Sequence, residues 1–161
     1  MNKNVHMGKI EIAKGEDNLV ASGIGSCLVI TFYDPKQKVG GLAHTMLPAR
    51  RMSGESRDLK FERRANSESP DTRYADTAID EMLDKLLARG AKRENLEAKL
   101  IGGANMFSSF VSKIGEENIA YAKEKLKRTG ISIVGECIGG SQGRSVEFSA
   151  ASGIVTVKTK F

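Results

Sequence analysis

Four side chains in this chain are suited to nucleophilic or proton-transfer chemistry at neutral pH: Cys27, Cys137, His6 and His44. Cys27 follows Gly23-Ile24-Gly25-Ser26 and precedes the nearly continuous apolar run Leu28-Val29-Ile30-Thr31-Phe32-Tyr33. That places a thiol where a small-residue turn meets a strand, presented at an element end and not sealed in mid-core. The N–H groups of such a turn, around Ser26 and Cys27, are open to a developing oxyanion. His44 lies in a second apolar run, Val39 to Leu47, and Asp34-Pro35-Lys36-Gln37-Lys38 between the runs has strong turn chemistry. Residues 27–47 therefore read as a β-hairpin carrying a Cys on one strand and a His on the other.

Register decides whether the two meet. If Tyr33 faces Lys38, Cys27 faces His44, and direct cross-strand partners have Cβ atoms about 4.5–5.5 Å apart. If Asp34 faces Lys38, Leu28 faces His44 instead, and the thiol and imidazole fall on opposite faces. The pairing has chemical meaning because a free thiol is only a few per cent ionised near pH 7. A neighbouring imidazole can take its proton and later protonate a leaving amine. Attack on an amide carbonyl then gives a tetrahedral oxyanion, a thioester and, with water, an acid. The bland alternative is a core cysteine beside a satisfied sheet histidine. An imidazole base needs an orienting partner, and Ser22, Ser26, Thr45, Asn105, Ser141 and Gln142 carry suitable oxygens. His6 falls in an N-terminal segment expected to be mobile.

Other motifs carry less. Gly23-Ile24-Gly25 has neither the third glycine of a dinucleotide fingerprint nor the Lys-Ser/Thr of a phosphate loop, and no helix follows it. Gly102-Gly103 and Gly139-Gly140 read first as turn geometry. Cys27, His44 and Cys137 lack metal-ligand spacing, so no metal or other cofactor is expected.

Around these residues the pattern alternates strands and helices. Strands are expected at Lys9–Ala13, Leu19–Ser22, Leu28–Tyr33, Val39–Leu47, Ala98–Ile101, Ile131–Glu136, Ser145–Ser149 and Ile154–Lys160. The Leu28–Tyr33 run suits a central strand covered on both faces. One helix carries Ala75, Ala78, Ile79, Met82, Leu83, Leu86 and Leu87 on one face, with Asp71 or Asp76 as its cap and Gly90 as its stop. A second runs from about Glu117 to Arg128 with Ile119, Ala122 and Leu126 inward. Pro48 to Arg73, with six Arg, one Lys and five acids, reads as a long loop. The whole is an α/β or α+β layered domain with a mixed sheet, one domain over residues 1–161.

Composition agrees. The chain has 161 residues, 40% of them hydrophobic, without tryptophan and with 6% aromatics, so the core is aliphatic and small. No apolar run reaches the roughly 18–20 residues of a membrane span. The N-terminus lacks an apolar signal region, and two cysteines make no disulfide framework, so a cytoplasmic protein with free thiols is expected. The net charge of +5, mixed along the chain, is weak support for nucleic acid and suits an acidic partner better.

Taken together, GIGSCLVITFYDPKQKVGGLAHTMLP (residues 23–48), YADTAIDEML from Tyr74, LEAKLIGGANMF from Leu96 and GGSQGRSVEF from Gly139 resemble the CheD family, chemoreceptor glutamine deamidases of bacterial and archaeal chemotaxis. The resemblance spans nearly the whole chain apart from the Arg-rich loop. It implies a three-layer sandwich related to deamidase toxins with a Cys–His pair. It further implies hydrolysis of glutamine side chains on methyl-accepting chemotaxis receptors, and binding to a CheC-type phosphatase of the response regulator. By motif match Cys27 is the nucleophile and His44 the general base and acid. The family's TxGxGSC-like run has Thr where this chain has Ala21. Ser22, its neighbour, would point to the opposite face of a regular strand. Two further readings follow: a docking module for receptor and phosphatase with little turnover, and a cysteine hydrolase acting on methyl esters.

Overall fold

Seven consecutive residues of strand β4 (Leu28–Asp34), LVITFYD, are buried, and this strand is the axis of the molecule. A strand covered on both faces needs no polar alternation, and β4 has almost none. The computed structural model describes residues 1–49, 70–106 and 113–160, and most of the Arg-rich loop lies outside the described residues. In chain order the remaining strands are β1 (Asn2–Asn4), β2 (Ile10–Lys14), β3 (Asn18–Ile24), β5 (Val39–Thr45), β6 (Glu97–Gly102), β7 (Ser132–Ile138), β8 (Gly143–Ser149) and β9 (Val155–Lys160). The helices are α1 (Ala75–Ala88) and α2 (Ile114–Thr129).

The strands form two sheets, ordered β2-β5-β4-β6-β7 and β1-β3-β8-β9. Both are mixed, since β6–β7 and β1–β3 are parallel and the other pairs antiparallel. The expected layered α/β fold is thus present, with a second sheet as the third layer. On one face of the five-stranded sheet Leu28, Ile30, Phe32 and Ala43 pack against Ala78, Ile79, Met82, Leu86, Ala122 and Leu126 of the helices. On the other face Val29, Tyr33, Leu42 and Ile101 pack against Leu19, Ala21, Ile24, Val146 and Phe148 of the four-stranded sheet. Each such fully buried large side chain contributes about 1.5–3 kcal/mol relative to exposure.

Two glycines let both outer layers close on β5. A Cβ at Gly40 would lie 2.5 Å from the Phe148 ring and 2.6 Å from the Phe32 carbonyl, and one at Gly41 would lie 3.0 Å from the Met82 sulfur. Tyr33 completes the inter-sheet contact, edge-on to Phe148 with its hydroxyl donating to the Ala150 carbonyl at 2.9 Å.

Three local expectations need correction. Leu87 is 40% exposed, because the inward stripe of α1 runs through Ile79, Met82, Leu83 and Leu86 and the next position turns outward. Neither Asp71 nor Asp76 caps α1; its N-cap is Tyr74, and Asp71 instead takes the amide and guanidinium of Arg73. The N-terminal segment is held in place: β1 pairs with β3, and the Val5 side chain is buried between the sheets.

Candidate active site

Strands β3, β5, β6 and β7 end, and β4 and β8 begin, at one end of the sandwich. That end gathers Gly25–Cys27, Met46, Gly103–Met106 and Gly139–Gln142 as loops. Crevices at strand ends are common ligand sites because the loops there are free of ladder constraints.

The hairpin register differs from both expected ones. Val29 pairs with His44, and Asp34 with Val39, leaving a four-residue turn. The Asp34 carboxylate accepts the Lys36 and Gln37 amides at 2.9 and 3.0 Å, and Lys38 adopts a left-handed φ of 54°, which lengthens the turn beyond the expected closure. Continuing the register, Cys27 stands opposite Met46. Cys27 is therefore not the direct partner of His44 but a diagonal one, on the parity of the same sheet face. Across a sheet a diagonal pair is about 7–8 Å apart at Cα.

Asn118 of α2 confirms that level. Its Nδ2 donates to the carbonyls of both Ser26 (2.9 Å) and Met46 (3.1 Å), tying the loop before β4 to the end of β5. Asn118 is fully buried, and its place four residues before Ala122 and eight before Leu126, on the apolar stripe of the helix, is the sequence signal that points to it. The loop is held from the other side by Gly103 N–H to the Cys27 carbonyl (2.8 Å) and Ala104 N–H to the Gly25 carbonyl (2.9 Å). A Cβ at Gly102 would sit 2.4 Å from the Cys27 carbonyl oxygen, so this close approach requires glycine. A second layer supports the first: Gly139 N–H donates to Gly102 O, Asn105 N–H to Gly140 O, and the buried Arg144 Nη2 to Gly139 O at 2.8 Å. The Nε and Nη1 of Arg144 have no partner among the described residues.

Cys27 is half-buried and its thiol is free. Burial pushes its pKa up, and its own backbone N–H acts against that rise. Among the described residues the Ser26 and Cys27 N–H groups donate to no other residue. His44 is 3% exposed. Burial holds its pKa below the usual imidazole range, the hydrogen bond to Val5 opposes this, and the charge of His6 lowers it further. Its Nδ1 lies 3.1 Å from the Val5 carbonyl oxygen, which can only accept, so Nδ1 carries the proton and Nε2 is the free base. Among the described residues Nε2 is buried without a partner, and no hydrogen bond joins it to the Cys27 thiol. At rest the site therefore holds a neutral thiol and a neutral imidazole.

Among the described residues no side-chain hydrogen bond joins Ser22, Ser26 or Thr45 to the His44 ring. Thr45 Oγ1 donates to the Leu28 carbonyl at 2.8 Å. Ser22 is exposed and lines, with Val5, His6, Met7, Val20 and His44, a cavity of about 260 Å³. Ser26 offers its carbonyl to Asn118. Ala21 is 2% exposed and packs between the sheets. Among the described residues no three His, Cys, Asp or Glu side chains gather as a metal site.

A sandwich with a thiol loop at its open end sets Cys27 and a neutral imidazole on one sheet face, two residues out of direct register. Comparison with known proteins identifies which group it falls in. The chain belongs to the CheD family: the family model described as CheD chemotactic sensory transduction matches residues 46–159. The chain is 42% identical over 166 residues to the probable chemoreceptor glutamine deamidase CheD 2 of Geobacter metallireducens, covering 98% of this chain and 94% of that protein. It is 41% identical to the probable chemoreceptor glutamine deamidase CheD of Caldanaerobacter subterraneus, covering 96% and 91%. A relative of the same description from Methanosarcina acetivorans, CheD 1, is 37% identical over 96% of this chain and 90% of its own length. These full-length alignments take in the strands that carry Cys27 and His44. No helix among the described residues is long and apolar enough to cross a membrane.

Proposed function

We propose that this protein is a protein-glutamine deamidase that converts glutamine side chains on methyl-accepting chemotaxis receptors to glutamate. The observation that carries the reading is the partly exposed Cys27 on a clamped loop, two residues out of direct register with an imidazole whose Nε2, unpartnered among the described residues, is the free base. The names of its full-length relatives supply the substrate class.

His44 Nε2 takes the Cys27 proton as the sulfur bonds to the glutamine carboxamide carbon. The oxyanion that forms is met by the Ser26 and Cys27 N–H groups, which donate to no other described residue. Collapse breaks the C–N bond, and the imidazolium returns the proton to the departing amine, releasing ammonia and leaving a thioester. Water, deprotonated by the same nitrogen, cleaves the thioester to glutamate, and the proton returns to the sulfur. The thiol-to-imidazole gap at rest closes when substrate packs the loop inward, as hydrogen bonds in unliganded sites tighten in the complex.

Receptors of this class present their glutamines on helices beneath the membrane, so the protein works in the cytoplasm. A CheC-type phosphatase is the second partner. A docking module with little turnover is the second reading, favoured by Ala21, whose methyl offers no hydroxyl to the site. The test is ammonia release, with the mass gain of amide-to-acid conversion, on a receptor cytoplasmic fragment. Wild-type activity no greater than that of Cys27→Ala sinks the enzyme reading and leaves the docking module.

A further inference from the structure

We propose that the N-terminal segment Asn4–Gly8 is a working part of the site and that the Val5 main-chain carbonyl is the positioning group of His44. The inference rests on the reading of His44 as base and adds what holds it in the reactive form.

An imidazole can act as base at Nε2 only while Nδ1 holds the proton, and in water the two neutral forms interconvert freely. Here an oxygen that cannot donate stands 3.1 Å from Nδ1, which excludes the other form as long as Val5 stays in place. No side-chain hydroxyl or amide takes that role among the described residues: Thr45 is engaged with Leu28, Ser22 is exposed, and Ala21 has only a methyl. The carbonyl is rigidly set. Val5 N–H donates to Val20 O at 2.8 Å, the Val5 side chain is 2% exposed in the inter-sheet core, and Gly8 N–H donates to His44 O at 2.7 Å. His44 N–H donates in turn to Lys9 O at 3.0 Å. The imidazole and the segment are thus joined through both backbone and ring. The same segment, through Val5, His6 and Met7, walls the cavity beside His44. Its outer anchor is modest, because β1 is a three-residue strand that, among the described residues, pairs with β3 alone. Displacing it removes the orienting oxygen without touching Cys27.

The experiment reads the ring nitrogens directly. In the intact chain at neutral pH, nitrogen NMR of His44 is expected to show Nδ1 protonated and Nε2 bare, and Val5→Ala, which keeps the carbonyl, is expected to preserve that pattern. A chain lacking residues 2–5 is expected to show mixed tautomers and a kcat on a receptor fragment lowered about 10–100-fold, with KM changed less than about threefold. A proton on Nε2 in the intact chain overturns the proposal, and so does a shortened chain that keeps its kcat. If the shortened chain does not fold, the intact-chain spectrum decides. Full activity in His44→Ala would strike the base reading itself, a result separable from either of these.

Discussion

The resting ionisation of Cys27 is the most discriminating property to measure, because two mechanisms that share the same residues differ in it. In one, a thiolate–imidazolium pair exists before substrate arrives; in the other, the proton moves during attack. The structure favours the second. Burial raises the Cys27 pKa and lowers that of His44, and neither group draws on the other's charge. An ordinary thiol with a pKa near 8.5 is about 3% ionised at pH 7, and Cys27 lies below that fraction. The assay is the alkylation rate of Cys27 against pH in a Cys137→Ser background, so that only one thiol reports. The midpoint is expected above about 8.5, and His44→Gln is expected to move it by less than about half a unit, since a neutral imidazole exerts little Coulomb force. The same substitution should lower kcat/KM about 10²–10⁴-fold, the usual contribution of a general base. The acid limb follows with its sign fixed. The base must be unprotonated, and a lowered pKa keeps it so further into acid. Activity should therefore persist below about pH 6.5 and fail only as pH drops through the His44 value. A midpoint near neutrality that rises on His44→Gln would mean a preformed ion pair and refute the argument.

Three other perturbations test the scaffold of the site. Asn118→Ala leaves the Ser26 and Met46 carbonyls without their buried donor and should cost about 1–3 kcal/mol in urea unfolding while lowering turnover. Arg144→Met removes a buried guanidinium that, among the described residues, has two unpartnered nitrogens and one bond, to Gly139. Thermal unfolding should be unchanged or raised while turnover falls as the Gly139–Gly140 turn loosens, and a fall in Tm of several degrees would contradict this. For Asp34, burial raises the carboxyl pKa, but amide bonds from Lys92, Gln37 and Lys36 and the Asn95 side chain outweigh it and hold it low. Its stabilisation is then full above the unfolded value of about 3.9 and lost as pH falls through the lower folded value, and Asp34→Ala should flatten that part of the pH–stability curve.

The strongly patterned parts of the fold were legible from residues alone. A six-residue apolar run, β-branched and bounded by turn signals, suits a strand covered on both faces, and β4 is that strand. The stripe from Ala75 to Leu86 and the left-handed Gly90 bounded α1. The second sheet was not legible as a layer, because the alternation in β3, β8 and β9 says that one face is buried but not against what. The strand β1 escaped notice since Asn2–Asn4 has no apolar residue; parallel pairing with β3 creates it, and only the buried Val5 behind it carries a hydrophobic signal. The same cause hid the group that orients the imidazole. Side-chain oxygens can be counted in a sequence, whereas a main-chain carbonyl belongs to every residue, and only the fold selects Val5.

The hairpin turn shows how one side chain governs the geometry of the candidate site. Closure at Lys38 opposite Asp34 would have set the thiol and imidazole on opposite faces, and closure at Lys38 opposite Tyr33 would have made them direct partners. Asp34 prevents both by capping the Lys36 and Gln37 amides with one oxygen while its other oxygen accepts the Lys92 amide at 2.8 Å. That anchors the turn to the segment that leads into β6, so the turn cannot shorten without losing a bond to a different part of the chain. The consequence is felt at the far end of the hairpin. His44 sits opposite Val29, enclosed by the N-terminal segment, while Cys27 lies beyond the ladder on a loop held by Asn118, Gly103 and Ala104. On the proposed mechanism the base is thereby held in the sheet and the nucleophile is carried on a clamped but unladdered loop. Such a division leaves proton transfer in that mechanism to the approach of substrate, because the staggered register keeps the thiol and imidazole from direct pairing at rest.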